Sequence, residues 1–131
     1  MRDPAAKNLN ILVAEDNSTN QILVRRLPEK RGHKVEFAGD GFEAVSKAQK
    51  GKFDIIFMDC EMPNMDGYEA TRHIRNLESS KNTTRVPIIA LTAHALQGDK
   101  DVCMQAGMDG YLTKPIDRIR FDELLSEYEN E

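Results

Sequence analysis

Five short apolar runs, each followed by a stretch with helical spacing, constrain this chain more than any other feature of its sequence. The runs at residues 11–14, 55–58, 86–91 (interrupted by Pro87) and 110–112 are continuous, whereas the run at 35–38 alternates. Short continuous runs suit strands covered on both faces, as parallel sheets require, and the alternating run suits a more exposed strand. Between them, residues 20–31 carry Ile22, Leu23 and Leu27. Residues 42–49 carry Phe42, Val45 and Ala48, and 68–77 carry Ala70, Ile74 and Leu77. Residues 97–106 are mixed, and 119–128 show Phe121, Leu124, Leu125 and Tyr128. The order is (βα)5, which predicts an α/β fold: a doubly wound parallel five-stranded sheet with right-handed crossovers and helices on both faces.

Gly32, Gly51 and Gly107 stand where helices should end, as residues that tolerate a left-handed C-cap. Pro28 conflicts with the first helix, because it removes a donor to Val24 and crowds the preceding turn. Either that helix kinks, or it ends early and Glu29 to Arg31 continue as a separate turn.

With 131 residues the chain is long enough to bury about two thirds of its unfolded surface in one domain. A 40% apolar share excludes wholesale disorder, and a formal charge of −4 without a long basic tract argues against a nucleic-acid binder. No run approaches the roughly 18 apolar residues of a spanning helix, and no signal peptide opens the chain, so the expected location is cytoplasmic without direct membrane contact. Cys60 and Cys103 lack a C-x-x-C spacing and His33, His73 and His94 are scattered, which argues against structural zinc and for reduced thiols. Residues 1–7 show no periodicity and are read as a tail or remnant outside the folded domain at 8–131.

In an open parallel sheet, ligands bind at the strand carboxyl ends. There the sequence places Glu15 and Asp16 after the first run, Asp59 after the third, Thr92 after the fourth, and Thr113 and Lys114 after the fifth. Each alone has a plain explanation: Asp16, Asn17 or Ser18 as a helix cap, Asp59 as a turn residue, Lys114 as a solvated cation before Pro115. Together they set three carboxylates, a hydroxyl and an ammonium on one edge. Carboxylates so gathered repel, and an oxygen-only donor set selects a hard cation that retains waters, Mg²⁺ above all. Such an ion beside a free carboxylate, a hydroxyl and a lysine suits phosphoryl transfer to an aspartate.

The motifs Ile-Leu-Val-Ala-Glu15-Asp16-Asn17, Met58-Asp59-Cys60-Glu61-Met62-Pro63-Asn64-Met65-Asp66-Gly67, Ala90-Leu91-Thr92-Ala93 and Tyr111-Leu112-Thr113-Lys114-Pro115 occur in that order. With them, residues 8–128 resemble the receiver domains of two-component response regulators. The wording at 15–21, 59–72 and 90–95 is most like the receivers of hybrid sensor histidine kinases. The resemblance implies a flavodoxin-like sheet of strand order 2-1-3-4-5, with Asp59 as phosphoacceptor. It also implies that Asp16 binds Mg²⁺ directly, with Mn²⁺ able to substitute, that Glu15 assists through water, and that the Glu61 main-chain carbonyl is a ligand. Thr92, Ala93 and Lys114 would hold the phosphoryl group, Tyr111 would change rotamer as Thr92 moves, and Lys114–Pro115 would be cis. The implied partners are the phosphohistidine domain of a histidine kinase or a His-containing phosphotransfer protein, with the chain a monomer or weak dimer. Such a domain catalyses its own phosphorylation and dephosphorylation without being an independent turnover enzyme. Glu15 departs from the commoner aspartate, and Pro28 interrupts the helix on which partners of the family dock.

Rival readings exist: a stand-alone response regulator, a receiver-like module that docks without taking phosphate, and a dinucleotide-binding module. The last rests on Gly39-x-Gly41-x-x-Ala44 after a strand, with Asp59 twenty positions on, but leaves Glu15, Asp16, Thr92 and Lys114 without a role. Arg25, Arg26, Lys30, Arg31 and Lys34 are read as a solvated basic face, and Cys60 as a plain core or rim residue.

Overall fold

The computed structural model describes residues 8–93 and 97–130, with only the main chain at 97–99. The expectation of a tail at 1–7 and the position of His94 lie outside these residues. Ten elements alternate: β1 (Asn10–Ala14), α1 (Ser18–Lys30), β2 (Lys34–Ala38), α2 (Gly41–Lys50), β3 (Ile55–Asp59), α3 (Gly67–Lys81), β4 (Ile88–Thr92), α4 (Gln97–Ala106), β5 (Gly110–Thr113) and α5 (Arg118–Glu129). The strands form one parallel sheet of order β2-β1-β3-β4-β5. This is the flavodoxin-like arrangement expected from the sequence.

Strand alternation builds two cores, one on each face. Ile11, Val13, Ile55, Phe57, Ile89 and Leu91 face one way and are covered by Val24 of α1 and by Phe121 and Leu125 of α5. There the Phe57 and Phe121 rings lie 4.9 Å apart at 45°, a geometry that adds about 0.5–1.5 kcal/mol beyond the area buried. Leu12, Ala14, Ile56, Met58, Ile88 and Ala90 face the other way, under Ala44 of α2, Ala70 and Ile74 of α3 and Cys103 of α4. All residues of β3 and β4 are buried, whereas β2, at the sheet edge, keeps the alternation read from its sequence.

Local chemistry sets the boundaries. Asn17, Asp40, Asp66 and Asp117 cap α1, α2, α3 and α5 by accepting main-chain N–H groups. Pro87 keeps β4 from starting at Val86; the strand begins at Ile88, and the Pro87 carbonyl accepts from Ile56 N instead.

Pro28 neither ends α1 early nor detaches Glu29 to Arg31 as a separate turn. The helix continues through it to Lys30. Pro28 occupies the last turn, so one bond to Val24 is forfeited, and its own carbonyl accepts from His33 N while Glu29 O accepts from Gly32 N. With Gly32 at φ +87°, this is a Schellman ending. Gly51 corrects another expectation: it caps α2 with φ −110°, ψ 169°, an extended and not a left-handed conformation. Asn82, at φ +55°, supplies the left-handed cap of α3 that the glycine pattern did not reveal.

Candidate functional site

Because all five strands run parallel, the residues ending β1, β3, β4 and β5 share one edge. Glu15, Asp16, Asn17, Asn20, Asp59, Cys60, Glu61, Leu91, Thr92, Ala93 and Lys114 line a depression of about 210 Å³ there. Each of Glu15, Asp16 and Asp59 offers an oxygen within 4.8 Å of the others, and among the described residues this is the one set of three acidic, histidine or cysteine side chains so placed. At that separation and an effective dielectric near 20, a pair of charges repels by about 3–4 kcal/mol. Lys114 offsets part of this: its Nζ lies 2.8 Å from Asp59 Oδ2 and 2.9 Å from Glu15 Oε1.

Main-chain groups fix the cluster. Glu61 N donates to Asp59 Oδ1 at 3.0 Å, and Gln21 Nε2 donates to the Glu15 carbonyl at 2.5 Å. Asn17 takes the capping role, accepting from Thr19 and Asn20, so the neighbouring Asp16 carboxylate stays exposed at the site. Gly67 lets α3 begin directly against the end of β3, since a Cβ there would sit 2.2 Å from the Asp59 carbonyl. Gly41 allows the β2–α2 turn to approach the β3–α3 loop: its N–H donates to Met65 O at 3.1 Å, and a Cβ would meet that oxygen at 2.4 Å. A tight interloop contact thus accounts for this glycine of the Gly39-x-Gly41 motif.

Burial, reinforced by Asp59, raises the Glu15 pKa despite the opposing pull of Lys114. Burial works against the Lys114 ammonium, but its contacts with Asp59 and Glu15 outweigh it and hold its pKa above the ordinary lysine value. Thr92 is buried at the end of β4, and Ala93 beside it is exposed. Tyr111 is half-buried and pairs in register with Ala90, on the same face of the sheet. Lys114–Pro115 is a cis peptide. Cys60 is buried, and burial pushes its thiol up to about 12, which makes it a poor nucleophile.

One sequence reading changes. Arg31 is not on a solvated basic face: its guanidinium meets Glu129, Asp122 and Ser126 of α5. Arg25 pairs with Glu29 and lies 4.8 Å over the Phe37 ring. Asn20 lines the site and Gln21 holds the Glu15 carbonyl; both stand in the 15–21 motif, which assigned neither of them a role.

The profile of the response regulator receiver domain matches residues 11–126. The chain belongs to this family of two-component signalling proteins. Receivers of similar sequence occur in the sensor protein GacS of Pseudomonas syringae pv. syringae, 45% identical over 81% of this chain and 12% of that protein. Another relative is the hybrid signal transduction histidine kinase I of Dictyostelium discoideum, 45% identical over 81% of this chain and 6% of that protein. The chain therefore spans a small part of the relatives it matches. Among solved structures, the receiver of the Saccharomyces cerevisiae response regulator Ssk1, in complex with the histidine phosphotransfer protein Ypd1, is similar with a TM-score of 0.91. The two are 31% identical, over 95% of this chain and 91% of that one. The receiver of the sensor histidine kinase PA1611 of Pseudomonas aeruginosa PAO1, with a magnesium ion coordinated in its active-site cleft, is similar with a TM-score of 0.83. It is 43% identical, over 95% of this chain and all of that one (100%). No helix among the described residues of this receiver is long and apolar enough to cross a membrane.

Proposed function

We infer that this receiver accepts a phosphoryl group on Asp59 from a phosphohistidine and relays the event through a change of surface. The carrying observation is the convergence of Asp59 with Lys114, Glu15 and Asp16 at the strand ends. An Asp59 carboxylate oxygen attacks phosphorus, an O–P bond forms and the N–P bond breaks. The electron pair then returns to the imidazole nitrogen, which takes up a proton. Lys114 stabilises charge on the transferring oxygens, and the Glu61 N–H holds Asp59 in position.

The donor set suits Mg²⁺. It consists of oxygen alone, and neither Glu15 oxygen takes a well-directed hydrogen bond from the protein although both are buried. Asp16 and Asp59, with the Glu61 main-chain carbonyl, would hold the ion, and Glu15 would act through water; Mn²⁺ meets the same requirements. When bound, the ion supplies neutralisation of charge on the phosphoryl oxygens. Thr92 and Ala93 are assigned to those oxygens, and Tyr111 to the response that follows movement of Thr92, a population shift between two arrangements of the α4–β5–α5 face.

The phosphoryl donor is assigned to a histidine kinase or a His-containing phosphotransfer protein, a reading supported by the similar receiver bound to Ypd1. The domain, residues 8–131, is assigned to a hybrid sensor histidine kinase on the cytoplasmic side, in keeping with its relatives. A stand-alone regulator is the second reading, favoured by similarity to the chemotaxis protein CheY4 of Vibrio cholerae, 31% identical with a TM-score of 0.81 over 93% of this chain and 99% of that one. Incubation with acetyl phosphate and Mg²⁺ followed by intact mass measurement tests the chemistry. One phosphoryl group on the wild type and none on Asp59→Asn is expected, since the amide keeps the volume but cannot form the mixed anhydride. Stable phosphorylation of Asp59→Asn would overturn the assignment.

A further inference from the structure

At the opposite edge of the sheet from Asp59, the C-terminal ends of α2 and α3 and the segments that follow them line a cleft of about 590 Å³. This lies within the roughly 300–1,000 Å³ of small-molecule sites and exceeds the depression around Asp59. Its floor is hydrocarbon: Val45 of α2, Phe53, Ile56 of β3, Ile74 and Leu77 of α3, and Val86. Its rim is basic. Lys50, Lys52 and Lys81 are exposed and form no ion pair among the described residues, whereas Lys47 pairs with Glu43 and Lys114 with Asp59 and Glu15. The single acidic residue of the lining, Glu78, is already engaged: Oε1 accepts from Arg75 Nη1 at 2.9 Å and Oε2 from Val86 N at 2.7 Å. Three uncompensated cations therefore surround an apolar pit in a chain whose net charge is −4.

We propose that this cleft binds a single-chain anionic amphiphile of the fatty-acid type, its tail on the apolar floor and its carboxylate among Lys50, Lys52 and Lys81. Gln49, Asn82, Thr83 and Thr84 also line the cleft, but the larger share of the lining is hydrocarbon, which suits an alkyl tail better than a nucleotide base. Charge complementarity selects the head group, and burial of methylenes supplies the affinity, about fourfold for each CH₂ removed from water. The site stands apart from the carboxylate cluster, so its occupancy and the phosphorylation of Asp59 are separately testable.

The full chain is titrated with sodium octanoate, sodium decanoate and 1-octanol below their micelle or solubility limits, with amide shifts recorded by NMR. Saturable shifts confined to residues 45–56 and 74–86 are expected, with decanoate binding about sixteenfold tighter than octanoate through its two extra methylenes. Octanol should bind at least tenfold more weakly than octanoate. Lys50→Glu combined with Lys81→Glu, both at exposed positions, should weaken octanoate at least tenfold and leave acetyl phosphate labelling of Asp59 unchanged. Scattered or non-saturating shifts, equal binding of octanoate and decanoate, or indifference to the double substitution would overturn the proposal. So would tighter binding of an acidic peptide than of decanoate, which would assign the cleft to a protein partner.

Discussion

Neutralising Glu129 should cost this domain a large part of its stability while sparing phosphorylation. Glu129 is 2% exposed at the end of α5, where its carboxylate meets Nε and Nη2 of Arg31 and Nε2 of His33. His33 Nδ1 accepts from Leu9 N at 2.9 Å, so the ring proton resides on Nε2 and is donated to Glu129. One carboxylate thus ties α5 to the α1–β2 turn and, through His33, to the start of β1. Removing one partner of a buried pair costs about 3–5 kcal/mol because the other charge is left uncompensated. Here Arg31 keeps Asp122 and is 19% exposed, and glutamine keeps an acceptor for His33, so about 2–3 kcal/mol is expected for Glu129→Gln. The chain has no tryptophan, so urea denaturation is followed by far-UV circular dichroism. The pH dependence has a definite sign. Arg31 holds the Glu129 carboxyl below its ordinary range, so its contribution is fully present above the unfolded pKa of about 4.3. It is lost as pH falls through the lower folded value. The gap between wild type and Glu129→Gln should therefore close in acid. A loss under 1 kcal/mol at pH 7, or a gap unchanged down to pH 3, would refute this account of the network.

Mg²⁺ at 100 times its Kd should stabilise the wild type by about 2.7 kcal/mol, or roughly 10 °C in a thermal scan, and Asp16→Ala should abolish most of that shift. Gly67→Ala should destabilise the fold by at least 1–3 kcal/mol, read by urea denaturation, because the new Cβ meets the Asp59 carbonyl at 2.2 Å and main chain must move. Pro28→Leu should stabilise by about 1 kcal/mol, the worth of the recovered bond to Val24, in the same assay; a loss instead would show that the buried ring packs better than the larger side chain.

The strands and the chemistry at their ends were legible because both follow local rules. An uninterrupted run such as residues 55–58 suits a strand covered on both faces, and the polar residue after such a run falls at the sheet's carboxyl edge whatever the tertiary detail. Long-range satisfaction was not legible. Arg31 reads as one more cation of a basic stretch until α5 returns to place Asp122, Ser126 and Glu129 around it, more than ninety residues later. Pro28 reads as a helix breaker because a proline's cost depends on how much helix follows, and only the Schellman ending at Gly32 shows that two helical residues do. Gly51 shows the converse: its position predicted a cap, but the Phe53 ring packed against it, 3.0 Å from where a Cβ would sit, gives close approach as its reason for being glycine.

The two edges of the sheet divide the electrostatic work. At the carboxyl edge, three carboxylates face one lysine, leaving net negative charge that repels until something cationic arrives. At the amino edge, the buried charges are matched and the exposed lysines Lys50, Lys52 and Lys81 are left over. Asp109 accepts from Arg75, Arg85 and Ile88 N, joining α3 and β4 to the turn before β5, while Glu129 joins α1, β1 and α5. The matched edge holds the helices to the sheet without relying on the site. The strained edge can then gain or lose charge, as addition of a phosphoryl group requires, with its energy spent on the loops around Asp59, Thr92 and Lys114 and not on the fold. This predicts a hierarchy of substitutions: neutralising Asp16 at the carboxyl edge relieves repulsion and should leave or raise stability in the absence of metal, whereas neutralising Asp109 or Glu129 leaves Arg75 and Arg31 with Glu78 and Asp122 as their remaining acidic partners and lowers it.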